Sequence, residues 1–105
     1  MTKEELRDYS AIKRELTALE VLGRKIERHG SSALRSLYEE KRAKLSGDLL
    51  AIENAIEGLN PTERTLMRLR YIEGLSWQAI CTRISYSWQQ THRIHARALR
   101  QIKDK

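Results

Sequence analysis

Leu75-Ser76-Trp77-Gln78-Ala79-Ile80-Cys81-Thr82-Arg83-Ile84-Ser85-Tyr86-Ser87-Trp88-Gln89-Gln90-Thr91-His92-Arg93-Ile94-His95-Ala96-Arg97-Ala98-Leu99 reads as two short helices joined by a tight turn. Ser76 caps the first helix, which puts Ile80 and Ile84 on its buried side with Trp77 and Cys81 flanking them. Ser85-Tyr86 makes the turn. Ser87 caps the second helix, and Gln90 three residues on completes a capping box. Thr91, Ile94, Ala98 and Ile102 then recur at threes and fours and form one inward stripe. Two helices, a tight turn and a capped polar start to the second make the layout of a helix-turn-helix. Such a motif offers the start of its second helix to the DNA major groove.

The segment before it supplies a third helix. Asn60-Pro61-Thr62-Glu63 is a helix start, with Asn as cap, Pro at the first position and Glu at the third. The helix is expected to run through Leu66, Leu69 and Ile72 and to end at Gly74. Residues 59–105 therefore read as a three-helix DNA-binding domain. Its base-reading candidates, on the outward side near the start of the last helix, are Trp88, Gln89, His92 and Arg93, with His95 as a further outward position. Gln and His hydrogen-bond base edges, Gln most naturally with adenine. Trp88 can stack on a sugar or pack against a thymine methyl group. Arg64, Arg68, Arg83, Arg97, Arg100 and Lys103 are the phosphate-binding candidates, which fix position without reading sequence.

Residues 1–58 read as an antiparallel helical hairpin. Thr2 and Glu5 form a capping box at the first helix start, and Leu6, Tyr9, Ile12, Leu16, Leu19 and Ile26 follow on one stripe. His29-Gly30 ends that helix, and Ser31 or Ser32 caps a second one carrying Leu34, Tyr38, Leu45, Leu49, Ile52 and Ile56. Folding about residues 30–31 pairs Ile26 with Leu34, Leu16 with Leu45, Ile12 with Leu49, Tyr9 with Ile52 and Leu6 with Ile56. The same fold point sets Gly23 opposite Tyr38, a small residue facing a large one. Val21, Leu22, Leu37 and Leu50 lie beside the seam and need cover, which makes the hairpin an expected homodimerisation element of coiled-coil type.

Charge separates the two halves. Residues 1–58 hold 11 Lys/Arg and 11 Asp/Glu, whereas residues 59–105 hold 9 and 3, so the whole net charge of +6 falls in the helix-turn-helix half. That is the footprint of a phosphate-binding surface. No apolar run approaches the roughly 18 residues of a membrane helix. The polar, acidic start is unlike a signal peptide, and the single cysteine permits no intrachain disulfide, so a reducing cytoplasm is the expected setting. Cys81, His92 and His95 fall short of a zinc ligand set, no Gly-rich phosphate loop occurs, and Cys81 has no evident activating base. No metal, cofactor or catalytic role is expected.

Leu59, Glu63-Arg64, Leu69-Arg70-Tyr71, Gly74, Ile80, Ser87, Ile94 and Arg97-Ala98-Leu99 resemble the promoter-reading C-terminal domain of bacterial sigma factors, region four. With the helical first half included, the chain resembles the small phage and prophage transcriptional regulators of the RinA/ArpU type. The resemblance implies activation of late phage or prophage genes and contact with RNA polymerase. Region four usually places charged residues just after the capping serine, where this chain has Trp88, Gln89 and Gln90. The docking mode is thus implied, and recognition of the usual promoter hexamer is not. Residues 1–58 offer only Tyr9 and Tyr38 as aromatics, so a complete, promoter-melting sigma factor is not expected.

The expected protein is all-α, a hairpin followed by a helix-turn-helix domain, and a sequence-specific binder of double-stranded DNA that regulates transcription. Two other readings fit the same elements. One is the small subunit of a phage DNA-packaging machine. The other is an adaptor that binds polymerase or a sigma factor without touching DNA.

Overall fold

Every helix start foreseen from a capping residue is a helix start in the computed structural model, which describes residues 1–103. Helix α1 (Lys3–Arg7) opens on the Thr2–Glu5 capping box, with both hydrogen bonds formed at 3.2 Å. The single first helix expected from the sequence is interrupted at Asp8, whose N–H turns back to the Glu5 carbonyl. Helix α2 (Tyr9–His29) follows and ends where the Gly30 N–H donates to the Ile26 carbonyl. Ser31 is the residue whose hydroxyl caps α3 (Ser32–Glu57), accepting from the Leu34 N–H. Asn60 caps α4 (Pro61–Met67) through the Glu63 N–H at 2.9 Å. Ser76 caps α5 (Trp77–Ile84), and Ser87 and Gln90 form a reciprocal box at the start of α6 (Trp88–Lys103). The fold is all-α, with no strand among the described residues.

Between α4 and α5 the chain departs from a regular helix. Arg68–Ile72 is a turn of π-helix, in which the Glu73 N–H reaches back five residues to the Arg68 carbonyl at 2.9 Å. The widened turn absorbs one extra residue and shifts the phase of the apolar face. Leu66 and Leu69 are buried as expected, but Met67 and Tyr71 join them while Ile72 is only half-buried. Gly74 follows at φ 73°, a left-handed conformation that glycine adopts without steric cost, and turns the chain into α5.

The helices pack as two compact units. One is Ala11–Ala51, the hairpin. Here the Tyr38 ring lies directly against Gly23, so closely that any side chain at position 23 would overlap it. Ile26 and Leu45 are buried, and Ile12, Leu16, Leu19 and Leu49 are half-buried along the same seam. Leu34, the expected partner of Ile26, is instead 44% exposed. The connection itself closes over Ile26: a Cβ on Gly30 would stand 2.6 Å from the Ile26 carbonyl oxygen, leaving no room for a side chain between them. Val21, Leu22, Leu37 and Leu50 are all about half-exposed or more.

The other unit comprises Met1–Ser10 together with the chain from Ile52 on. Leu6, Ile56, Leu66, Met67, Ile80 and Ala98 are fully buried in it, and Ile102 is 1% exposed. Burying each large aliphatic side chain contributes about 1.5–3 kcal/mol, so this is the main energetic core. The Met1 amino group donates to the Ile102 carbonyl at 3.4 Å, and the Tyr9 hydroxyl donates to Glu53 Oε1 at 2.7 Å. Burial, with help from Glu53, pushes the Tyr9 hydroxyl up to about 12. The compact units thus do not divide at the 58/59 boundary expected from sequence. The stripe carrying Leu6, Tyr9, Ile52 and Ile56 is apolar enough to join the C-terminal core, and α1 goes with it.

Candidate nucleic-acid interface

The pair α5 and α6 is held by short contacts across its inner face. Ile80 and Thr91 are fully buried, and the Cys81 thiol donates to Thr91 Oγ1 at 3.3 Å. The turn between the helices is made at Ser85, at φ 60° and ψ 36°, the left-handed conformation of a C-cap. With Thr91, Ile94, Ala98 and Ile102 turned inward as expected, the opposite side of the α6 start is open. Trp88, Gln89 and Arg93 are exposed there.

The two histidines behave differently from the sequence expectation. His92 is half-buried, with its ring 4.7 Å from that of Trp77 and 4.5 Å from that of Trp88. Its Nε2 is buried and has no hydrogen-bond partner among the described residues. It therefore packs between two indoles instead of standing free for a base edge. His95, read as a further outward position, is only 6% exposed. Its Nε2 lies 2.7 Å from the Tyr71 hydroxyl, and Trp77 meets its ring edge-on at 4.6 Å. Burial first, then the charges of Lys3, His92, Arg70 and Arg7, push the His95 imidazole down to about 4. Burial likewise raises Tyr71, which keeps its proton and can donate it to the neutral imidazole. The reason for the discrepancy is the aromatic residue on α5: Trp77 offers a flat apolar surface that draws both rings of α6 toward it. The Arg70 guanidinium covers Trp77 from a further side at 4.7 Å and donates through Nη1 to the Leu75 carbonyl, tying the π turn to α5.

The phosphate candidates divide into two groups. Arg83, Arg100 and Lys103 are exposed and make no ion pair among the described residues. Arg64 is half-exposed and lies 3.8 Å from Glu57, and Arg68 is half-buried. Arg97 is committed to the fold, because its Nε donates to Glu63 Oε1 at 2.9 Å and that carboxylate is 2% exposed. The sequence marked Glu63 only as the third residue of a capped helix. Its isolation as an acid in a basic stretch was the available clue to a buried partner. Arg93 and Arg97, with Asn60, Tyr86 and Gln90, also border an open groove of about 430 Å³ between the α4 start and α6.

The geometry is that of a helix-turn-helix with a capped, exposed second-helix start and cations around it. No described helix is long and apolar enough to cross a membrane. No curated protein and no solved structure matches the chain. Residues 55–104 match the family model described as Sigma-70, region 4, so a region 4 helix-turn-helix domain is present in this part of the chain.

Proposed function

We propose that this protein is a transcriptional regulator that binds double-stranded DNA sequence-specifically, reading the major groove with the start of α6. The observation that carries the reading is the exposed face of Trp88, Gln89 and Arg93 at a capped helix start, within a stretch matching region 4. Arg64, Arg68, Arg83, Arg100 and Lys103 supply the sequence-independent phosphate attraction, and Arg97 adds to it with the part of its guanidinium that Glu63 does not use. RNA polymerase is the natural second partner of such a domain. The resemblance of the whole chain to phage and prophage late-gene regulators supports a role in controlling such genes. A second copy of the chain covers the half-exposed Val21, Leu22, Leu37 and Leu50 of the hairpin, giving a homodimer.

The test is a binding selection on randomised duplexes. The wild-type protein is expected to enrich one sequence, and Gln89→Ala to relax preference at one or two adjacent base pairs by about 1–3 kcal/mol of discrimination. Binding to random duplex should change little. Identical base preferences for the two proteins would remove Gln89 from the reading face. Absence of any salt-dependent duplex binding by the wild type would overturn the DNA-binding reading itself.

A further inference from the structure

The N-terminal helix brings basic side chains to the recognition unit. Within Met1–Ser10 and the chain from Ile52 on, a pocket of about 230 Å³ is bordered by Lys3, Arg7, Ser10, Arg70, Tyr71 and Trp77. Three of these six residues are cations, and no carboxylate borders the pocket. Neither Lys3 nor Arg7 has a hydrogen bond or ion pair through its side chain among the described residues, although α1 also carries Glu4 and Glu5. Glu5 is engaged with Thr2 instead. The positive charge is felt inside the unit, since Lys3, Arg70 and Arg7 all help to keep the His95 ring neutral after burial has its larger effect. Converging cations without a counter-charge are costly unless an anion joins them, and Arg forks and Lys ammonium groups suit phosphate oxygens.

Resting on the DNA-binding reading above, we propose that this pocket holds a backbone phosphate of the duplex, beside the bases read by α6. The pocket is linked to the reading face through ring contacts. Trp77, one of its walls, touches His92, and His92 touches Trp88 at the α6 start. Gly74 also borders it, just before the Ser76 cap of α5. A strand passing the start of α6 meets this opening next. Helix α1, held by the buried Leu6 and by the Met1–Ile102 hydrogen bond, thereby extends the footprint on one flank of the site. Such a contact fixes register without adding base preference.

The experiment compares the full-length wild type with the Lys3→Gln/Arg7→Gln double variant on the duplex selected by the wild type. The slope of log affinity against log salt is expected to become shallower by about 0.9 per bound protomer, the loss of one phosphate contact each. Phosphate-ethylation interference should disappear at one flank, with the base preference unchanged. Arg7→Lys, which keeps the charge, should retain most of the wild-type slope. The double variant should melt no lower than the wild type, because neither side chain has a partner to lose and relief of the cation repulsion can only add stability. A variant with wild-type slope and interference pattern would overturn the proposal while leaving DNA binding standing. In a DNA-free arm, inorganic phosphate is titrated against tryptophan fluorescence. Saturation at micromolar phosphate in the wild type alone, with an unchanged DNA slope, would assign the pocket to a free phosphate ligand and overturn the duplex assignment. A wild type that binds no duplex would overturn both this proposal and the reading it rests on.

Discussion

His95 and Arg97 stand two positions apart on α6, and each answers to a partner on another helix. The His95 imidazole, held down to about 4, has a pH signature. Above pH 6.5 the folded and unfolded chains both carry it neutral, and it contributes nothing to pH dependence. As pH falls through 6.5 the unfolded chain takes up a proton that the buried ring refuses. Stability is therefore lost progressively down to about pH 4, by roughly 3 kcal/mol in all. Denaturant unfolding at a series of pH values should show this loss for the wild type. His95→Gln, which keeps an amide within reach of Tyr71, should give a flatter curve over the same window. Arg97 is distinguished from Arg100 by the buried Glu63 carboxylate 2.9 Å from its Nε. Arg97→Ala should cost about 1–3 kcal/mol of stability as well as DNA affinity, since it strands a buried acceptor and the half-exposed arginine tempers the loss. Arg100→Ala should lower affinity for all duplexes and leave the melting curve where it was. Equal melts for the two variants would remove the structural role assigned to Arg97.

At the scale of the elements, the recognition unit depends on two departures from regular helix. The π turn at Arg68–Ile72 sends Tyr71 inward to His95 and lets Arg70 cover Trp77. The α5–α6 turn passes through Ser85 in the left-handed region, where a Cβ is strained by about 1–2 kcal/mol. Ser85→Gly removes that strain and returns part of it as added chain entropy in the unfolded state. A net gain of about 0.5–1 kcal/mol is expected, with a higher melting temperature and the same helical content. A lower melting temperature would show that the serine side chain has a compensating role. Base preference should not change, because Gln89 and Trp88 keep their place beyond the Ser87 cap.

For the molecule as a whole, the two compact units divide charge and apolar surface between them. The hairpin presents Val21, Leu22, Leu34, Leu37 and Leu50 to solvent, and the other unit presents the cations of α5 and α6. Burying a leucine row against a second copy would hold two recognition helices in one particle, and a symmetric dimer reads a site with two half-sites. Leu22→Gln with Leu37→Gln should convert a dimer to a monomer by light scattering. The melting temperature should then lose its dependence on protein concentration. DNA affinity should fall more for a two-half-site duplex than for a half-site. Unchanged mass for this variant would remove the leucine row as a dimer contact.

The amino-acid sequence by itself determined the capped helix starts, the hairpin connection and the helix-turn-helix. Each of these is written in residues a few positions apart: Thr2 with Glu5, Asn60 with Glu63, Ser87 with Gln90, and the spacing of threes and fours along α6. The Gly23–Tyr38 fit was legible too, because one short connection fixes the register of both helices. Only the tertiary structure decided which outward positions of α6 stay outward. His92 and His95 were drawn in by Trp77 on α5, and Arg97 was claimed by Glu63, 34 residues away. Helical periodicity states which residues share a face; it does not state which neighbouring helix has a ring or a carboxylate to meet them. The same limit hid the pocket of Lys3, Arg7 and Arg70, whose members belong to opposite ends of the chain and meet only because Leu6 and Tyr9 are buried with the C-terminal core.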